Sequence, residues 1–413
     1  MTNPENAPVD HAPQNLAPAQ PSRYRRVLMH TFPEPAQILE RGEGCWVWSR
    51  GGTRYLDLFS GIAVNSLGHA HPDIVAAIGR QAGLLMHVSN LFTTDVQVAL
   101  AERLSTMASE LNPTLPARTF LCNSGTEANE AAFKLTRLTG RTKIVAMEGS
   151  FHGRTMGALA LTHTPKYRTP FEPLPGEVSF VPYGDLAALA AAVDDQTAAV
   201  VLEPIQGENG VVVPPEGYLA GVREVCDRTG ALMWVDEVQT GIGRCGSWLL
   251  SVGQGVQPDV ITLAKGLGAG FPVGACIGVG RAAELFEPGA HGTTFGGNPL
   301  AATVALTTLA VIDEDGLLVA ARERGAQLRE GVLALQHPGI AGVRGAGLLL
   351  GIELTGEWAE RGSAVAAAAL AAGFIINAPR PSVLRLAPSL VVTPEQIDSF
   401  VTALPDLLDA ARG

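Results

Sequence analysis

Residues 198–236 read AAVVLEPIQGENGVVVPPEGYLAGVREVCDRTGALMWVD: an apolar run, a segment with helical patterning, and a second apolar run. Ala198–Glu203 and Ala231–Asp236 lack the in-out alternation of a half-exposed strand, so both suit strands buried on two faces. The helical segment between them, Gly217–Arg228, is what parallel pairing through a crossover needs. Outward from this unit the alternation recurs. Upstream, Thr119–Cys122 is predicted as a strand, about Thr126 to Leu138 as a helix, and Lys143–Met147 as a strand. Asp185 is an N-cap for an Ala-rich helix ending near Val193. Downstream, Val260–Ala264 repeats the apolar run. The predicted fold class is α/β, a mostly parallel sheet flanked by helices.

Beyond it, helices are predicted from Pro299 to about Asp313 and over Leu317–Leu335. A strand Leu348–Leu354, a helix Ala364–Ala372, a strand Val383–Leu386 and a helix from Pro394 follow. At the other end, Val47–Phe59 with Gly51-Gly52 predicts a β-hairpin. Pro72 opens a helix to about His87, and Val96–Met107 is another. These readings divide the chain into a large domain, 71–316, and a smaller α/β domain made from segments 23–70 and 317–413. Met1–Ser22 is rich in Pro, with neither a basic n-region nor an apolar h-region, and reads as a disordered tail and not a signal peptide.

The 413 residues exceed one ordinary core. Hydrophobic content of 46% and charged content of 17% describe a soluble α/β enzyme. A net charge of −11 argues against nucleic acid or an anionic membrane as partner. The longest nearly apolar run, Ala364–Ile376, is too short to span a bilayer. Cys45, Cys122, Cys226, Cys245 and Cys276 are dispersed, which suggests reduced thiols and a cytoplasmic address. His69 and His71 have no third ligand spaced nearby, so no metal is expected.

In α/β sheets ligands sit outside the carboxyl ends of the strands, and four strand ends carry unusual polar residues. Ser124-Gly125-Thr126 lies where a strand turns into a helix, a place for a phosphate on a helix N-terminus or for a plain cap. Asp236 emerges from a buried strand and needs a cation or strong donor; a protonated pyridine nitrogen is such a partner. Lys265 ends the strand Val260–Ala264 beside Gly266, Gly268 and Gly270, which leave room for a flat ligand. A desolvated lysine amine there is a nucleophile towards an aldehyde. Glu203-Pro-Ile-Gln-Gly-Glu208 is the fourth. Gly241-Ile-Gly-Arg-Cys-Gly246 fits a dinucleotide fingerprint, but it is set off from its strand by Asp236–Thr240 and no helix opens after it, so a nicotinamide role is rejected.

At these residues the chain resembles the class III aminotransferases of fold type I, and within them the acetylornithine-specific members, from about Tyr24 to Ala411. The resemblance rests on Ser-Gly-Thr-Glu-Ala-Asn-Glu at 124–130, Phe-His-Gly-Arg-Thr at 151–155, Glu-Pro-Ile-Gln-Gly-Glu at 203–208 and Asp-Glu-Val-Gln-Thr-Gly at 236–241. Leu-Ala-Lys-Gly-Leu-Gly at 263–268 and His-Gly-Thr-Thr-Phe-Gly-Gly-Asn-Pro at 291–299 complete it. It implies pyridoxal 5′-phosphate carried as a Schiff base on Lys265, with Ser124, Gly125 and Thr126 as phosphate cup. It further implies Phe151 stacked on the ring, Asp236 at the ring nitrogen and Gln239 at the phenolic oxygen. Thr294 resembles a phosphate ligand from a neighbouring subunit, which implies a homodimer with shared active sites.

Arg154 resembles the residue that binds a substrate carboxylate far from the reacting amine. Arg385 resembles the one that takes the α-carboxylate of glutamate, with Glu208 closing over it when the donor has none there. Guanidinium suits both tasks, since it grips a carboxylate through two hydrogen bonds. Ile62, where ornithine-specific relatives commonly have tyrosine, favours an acylated donor. The implied reaction exchanges N-acetylornithine and 2-oxoglutarate for the semialdehyde and glutamate, in arginine biosynthesis. Succinyl-diaminopimelate precursors, free ornithine, 4-aminobutyrate or a carrier-protein-bound lysine precursor stay open as donors. An aminomutase, a racemase or a cofactor-binding regulatory relic on the same scaffold remain the alternatives.

Overall fold

A computed structural model of the chain describes residues 21–412. The predicted tail therefore lies outside the described residues except at its end, where Pro21 opens a short helix to Val27. The central element is a seven-stranded sheet in the order Ala117–Cys122, Gly274–Val279, Val260–Leu263, Leu232–Asp236, Thr197–Leu202, Lys143–Met147 and Glu177–Val181. The last five of these pair in parallel. Every residue of Thr197–Leu202 and of Leu232–Asp236 is buried, as strands covered by helices on both faces must be.

The strand Gly274–Val279 is the exception. It runs antiparallel to both neighbours, inserted between Ala117–Cys122 and Val260–Leu263. Sequence reading missed it, and missed Glu177–Val181 as well. Gly274 and Gly278 interrupt its apolar run, yet each is required by packing. A Cβ at Gly274 would stand 2.6 Å from the Ser124 carbonyl oxygen, and one at Gly278 2.7 Å from that of Ala282.

Two further sheets have four strands each. In one, Leu39–Glu43, Trp46–Ser49 and Arg54–Asp57 form antiparallel pairs, and Arg54–Asp57 then pairs in parallel with Phe374–Ile375. The predicted hairpin is present, and its sheet is completed from the C-terminal part of the chain. In the other the order is Ile340–Ala346, Leu349–Leu354, Val383–Leu386, Asn377–Arg380. The helix opened by Pro72 ends at Ala82, not at His87. Leu84, Leu85 and Met86 beyond it are exposed at 80%, 42% and 55%, so their apolar character serves no internal core. No described helix is long and apolar enough to cross a membrane.

Because the strand Ala117–Cys122 is antiparallel to a strand that is itself antiparallel to Val260–Leu263, it points the same way as the parallel five. The carboxyl ends that precede Ser124, Glu203, Asp236 and Lys265 therefore lie along one edge of the sheet.

Candidate active site

A cavity of about 470 Å³ opens at that edge. Lys265, Asp236, Gln239 and Glu208 line it together with Ser124, Gly125 and Thr126. Phe151 and Arg154 stand at its wall. Sequence reading had selected each of these. Arg385 lies behind Glu208, and Ile62 and Thr294 do not reach the cavity. Ile62 is 37% exposed on a stretch, Ser60–Ala63, whose four residues all have positive φ, a costly backbone for a β-branched side chain. Thr294 is exposed on the loop before Pro299.

Lys265 opens a 3₁₀ turn, Lys265–Gly268, and has φ of +44°. Its enclosure disfavours the ammonium, and with the nearby Arg385 cation this lowers the amine pKa against the pull of Glu208 and Asp236. The neutral amine is the form that attacks an aldehyde or takes a proton.

Asp236 is 3% exposed. Its Oδ2 accepts from Asn129 Nδ2 at 2.8 Å and is paired with His152 Nδ1 at 2.7 Å. Its Oδ1 accepts from the Val238 backbone N–H at 3.0 Å. Burial opposes a charged His152 ring, but the hydrogen bond and charge of Asp236, with Glu203 adding, outweigh it and raise the His152 pKa. Asn129 also donates to the His152 carbonyl at 2.6 Å, which locks the three groups together. A histidine and an aspartate 84 positions apart give no spacing signal, and sequence reading missed both His152 and Asn129.

Glu203 was also left without a role. It is 5% exposed, lines the cavity and accepts from the Phe151 N–H at 3.0 Å. Burial, against the attraction of His152, pushes its carboxyl up to about 7.

The helix Gly125–Arg137 begins at the cavity. Ser124 caps it, its Oγ accepting from the Glu127 N–H at 3.3 Å, so the cap and the anion readings of this segment coexist. Thr126 Oγ1 lies 2.7 Å from Thr155 Oγ1. A Cβ on Gly125 would meet Val238 Cγ1 at 2.8 Å, and one on Gly207 would run into Gln239 Oε1. These glycines let Val238 and Gln239 pack closely against the neighbouring backbone at the cavity.

Arg385 is 1% exposed and its Nη1 donates to Glu208 Oε1 at 2.5 Å and to Gln239 Oε1 at 3.2 Å. Its Nε donates to Asn377 Oδ1 at 2.9 Å, its register partner on the next strand. Burial works against the Glu208 carboxylate, but Arg385 and Lys265 overcome it and hold its pKa below the usual range. Among the described residues no group of three or more His, Cys, Asp or Glu is placed to hold a metal.

An enclosed amine at one strand end, a buried carboxylate at the next, and a capped helix N-terminus, all lining one cavity of about 470 Å³, fit pyridoxal phosphate in charge. The family model of class III aminotransferases matches residues 30–408. The chain belongs to the class III aminotransferases. It is a pyridoxal-phosphate-dependent transferase with the fold of that family. This aminotransferase is 54% identical to the acetylornithine aminotransferase of Mycobacterium tuberculosis over 391 residues, covering 95% of its chain and 96% of the relative. It is also 54% identical to that of Streptomyces coelicolor over 390 residues, covering 94% and 95%. Among solved structures, the ornithine aminotransferase of Toxoplasma gondii superposes with a TM-score of 0.88 at 32% identity, covering 94% of both chains. The N-acetylornithine aminotransferase of Stenotrophomonas maltophilia has a TM-score of 0.81 at 35% identity, covering 94% and 98%.

Proposed function

We propose that this aminotransferase transfers the δ-amino group of N-acetylornithine to 2-oxoglutarate, giving N-acetylglutamate 5-semialdehyde and glutamate, as one step in making arginine. The reading is carried by one observation: a single cavity is lined by a desolvated lysine, a clamped aspartate and Glu208, which pairs with the buried Arg385 behind it. The names of relatives at 54% identity supply the donor.

Pyridoxal phosphate, when bound, supplies an aldehyde that takes the amino group and a ring that accepts an electron pair. The rest falls to this chain. Ser124, Gly125 and Thr126 hold the phosphate at the start of a 13-residue helix, whose free N–H groups favour an anion. Phe151 and Val238 would flank the ring, Gln239 would serve its phenolic oxygen, and the Asp236 carboxylate would hold a proton on the ring nitrogen. His152 and Asn129 hold the Asp236 carboxylate in place. Lys265 Nζ would be the attachment point for the cofactor and would take the proton from the carbon that bears the reacting amine.

Two carboxylate grips give two substrates one site. Arg154 serves the carboxylate remote from the amine. Glu208 covers Arg385 while N-acetylornithine is bound and yields it to the α-carboxylate of glutamate. A second copy of the chain completes the site through Thr294. In support, Leu91 is 87% exposed and Phe92 71%, and Phe295, next to Thr294, is 60% exposed. The five unpaired cysteines support a reducing, cytoplasmic address.

Steady-state rates with N-acetylornithine, ornithine and 4-aminobutyrate, each against 2-oxoglutarate, test the assignment. The highest kcat/KM is expected for N-acetylornithine; a preference for either other donor overturns it.

A further inference from the structure

Arg154 differs from the other arginine of the site. Arg385 is buried and spends its N–H groups on Glu208, Gln239 and Asn377. Arg154 is exposed at the cavity wall, and no hydrogen bond or ion pair engages it among the described residues. Its guanidinium is nevertheless held. The carbon at its centre lies 3.4 Å from the centroid of the Tyr167 ring and 5.4 Å from that of Phe151. The two rings meet edge-on, with centroids 6.4 Å apart and planes at 86°.

Contact through an aromatic face uses the flat side of a guanidinium and leaves its charge and its five edge N–H donors intact. A carboxylate partner would have consumed both. An unheld arginine, in turn, would give up side-chain entropy each time a substrate bound. Tyr167 comes from the short helix Pro165–Arg168 and is half-buried behind Arg154, outside the cavity lining.

We propose that Tyr167 is a positioning residue that holds Arg154 by its face, so that the N–H edge is presented to the carboxylate of a donor whose carboxylate lies at the end opposite the reacting amine. The proposal rests on the assignment of Arg154 and of N-acetylornithine made above. The hydroxyl of Tyr167 has no part in it; the ring does.

The test compares N-acetylornithine with N-acetyl-1,4-diaminobutane, the same molecule without its carboxylate, in the holoenzyme. The ringless variants Tyr167→Leu and Tyr167→Met should reduce the parent's kcat/KM preference for N-acetylornithine about tenfold, with the loss in KM more than in kcat. Tyr167→Phe should retain the preference within about twofold. Cofactor absorbance per protomer identifies a variant that has lost its fold, and either ringless variant suffices. Preference unchanged in a folded ringless variant overturns the proposal, as does a Tyr167→Phe variant that loses it equally. If the parent itself does not discriminate the two donors, the substrate reading has failed and the proposal falls with it. If the parent discriminates and the ringless variants match it, the Tyr167 proposal alone has failed.

Discussion

Asp236 divides its carboxylate between two tasks, with Oδ2 held by His152 and Asn129 while Oδ1 takes the Val238 N–H beside the cavity. The arrangement leaves Glu203 as the adjacent carboxyl with an unsettled charge. Folding carries its pKa from 4.5 to about 7, so the folded protein holds a proton there that the unfolded chain has lost. The stability this supplies is complete below the unfolded value and is lost as pH rises through the folded one. That swing amounts to about 3 kcal/mol. In apoprotein the Glu203→Gln variant should therefore show a flatter decline of thermal midpoint from about pH 5 to about pH 8 than its parent. Equal slopes would mean that Glu203 ionises normally. For Lys265 the expectation is simpler. Lys265→Ala removes both the attachment point and the proton carrier, and no multiple turnover should be measurable; sustained turnover would refute the assignment. Lys265 and Asp236 were legible because a charged residue closing an apolar strand is an anomaly. Glu203 is the same anomaly at the neighbouring strand, but no sequence signal said which ligand it faced.

Among elements, the helix Gly125–Arg137 has the most to do. Its Ser124 cap fixes where it starts, and its seven buried residues, Phe133 and Leu135 among them, pin it against the sheet. Gly125 stands where the helix end meets the opposite wall. A methyl group there would lie 2.8 Å from Val238 Cγ1 and 3.1 Å from Val238 Cγ2, closer than packing allows without a shift. Gly125→Ala should thus displace Val238, which lines the cavity, and weaken cofactor binding about tenfold, for an overpacking cost of about 1–2 kcal/mol. Titration of apoprotein with pyridoxal phosphate, followed by absorbance, reads this directly, and unaltered affinity would show that the wall yields freely. The strand Lys143–Met147 was legible to the residue, since its four buried residues, Ile144 to Met147, carry an unbroken apolar run. Gly274–Val279 was not, because the glycines that let it slip between two strands also erase its pattern. The overrun past Ala82 has the opposite cause: Leu84, Leu85 and Met86 carry the apolar pattern without a core to receive it.

At the scale of the molecule those exposed side chains, with Leu91, Phe92 and Phe295, form the clearest remaining demand for a partner. Buried on a second copy, they would bring that copy's loop around Thr294 to the cofactor end of the cavity, which Thr294 of the same chain does not reach. If the site is shared in this way, two defective chains can repair one another. A Lys265→Ala chain retains Thr294 but has no working site of its own. A Thr294→Val chain retains Lys265 but offers its partner a defective phosphate ligand. In a mixed dimer one site carries both defects, while the other combines intact Lys265 with intact Thr294. Co-folding the two variants should therefore give more activity, and tighter pyridoxal phosphate retention, than the sum of the separate preparations at equal protomer concentration. An activity equal to that sum would place Thr294 outside the shared site. A mixture that sediments as monomers while fully active would remove the second copy from the mechanism altogether.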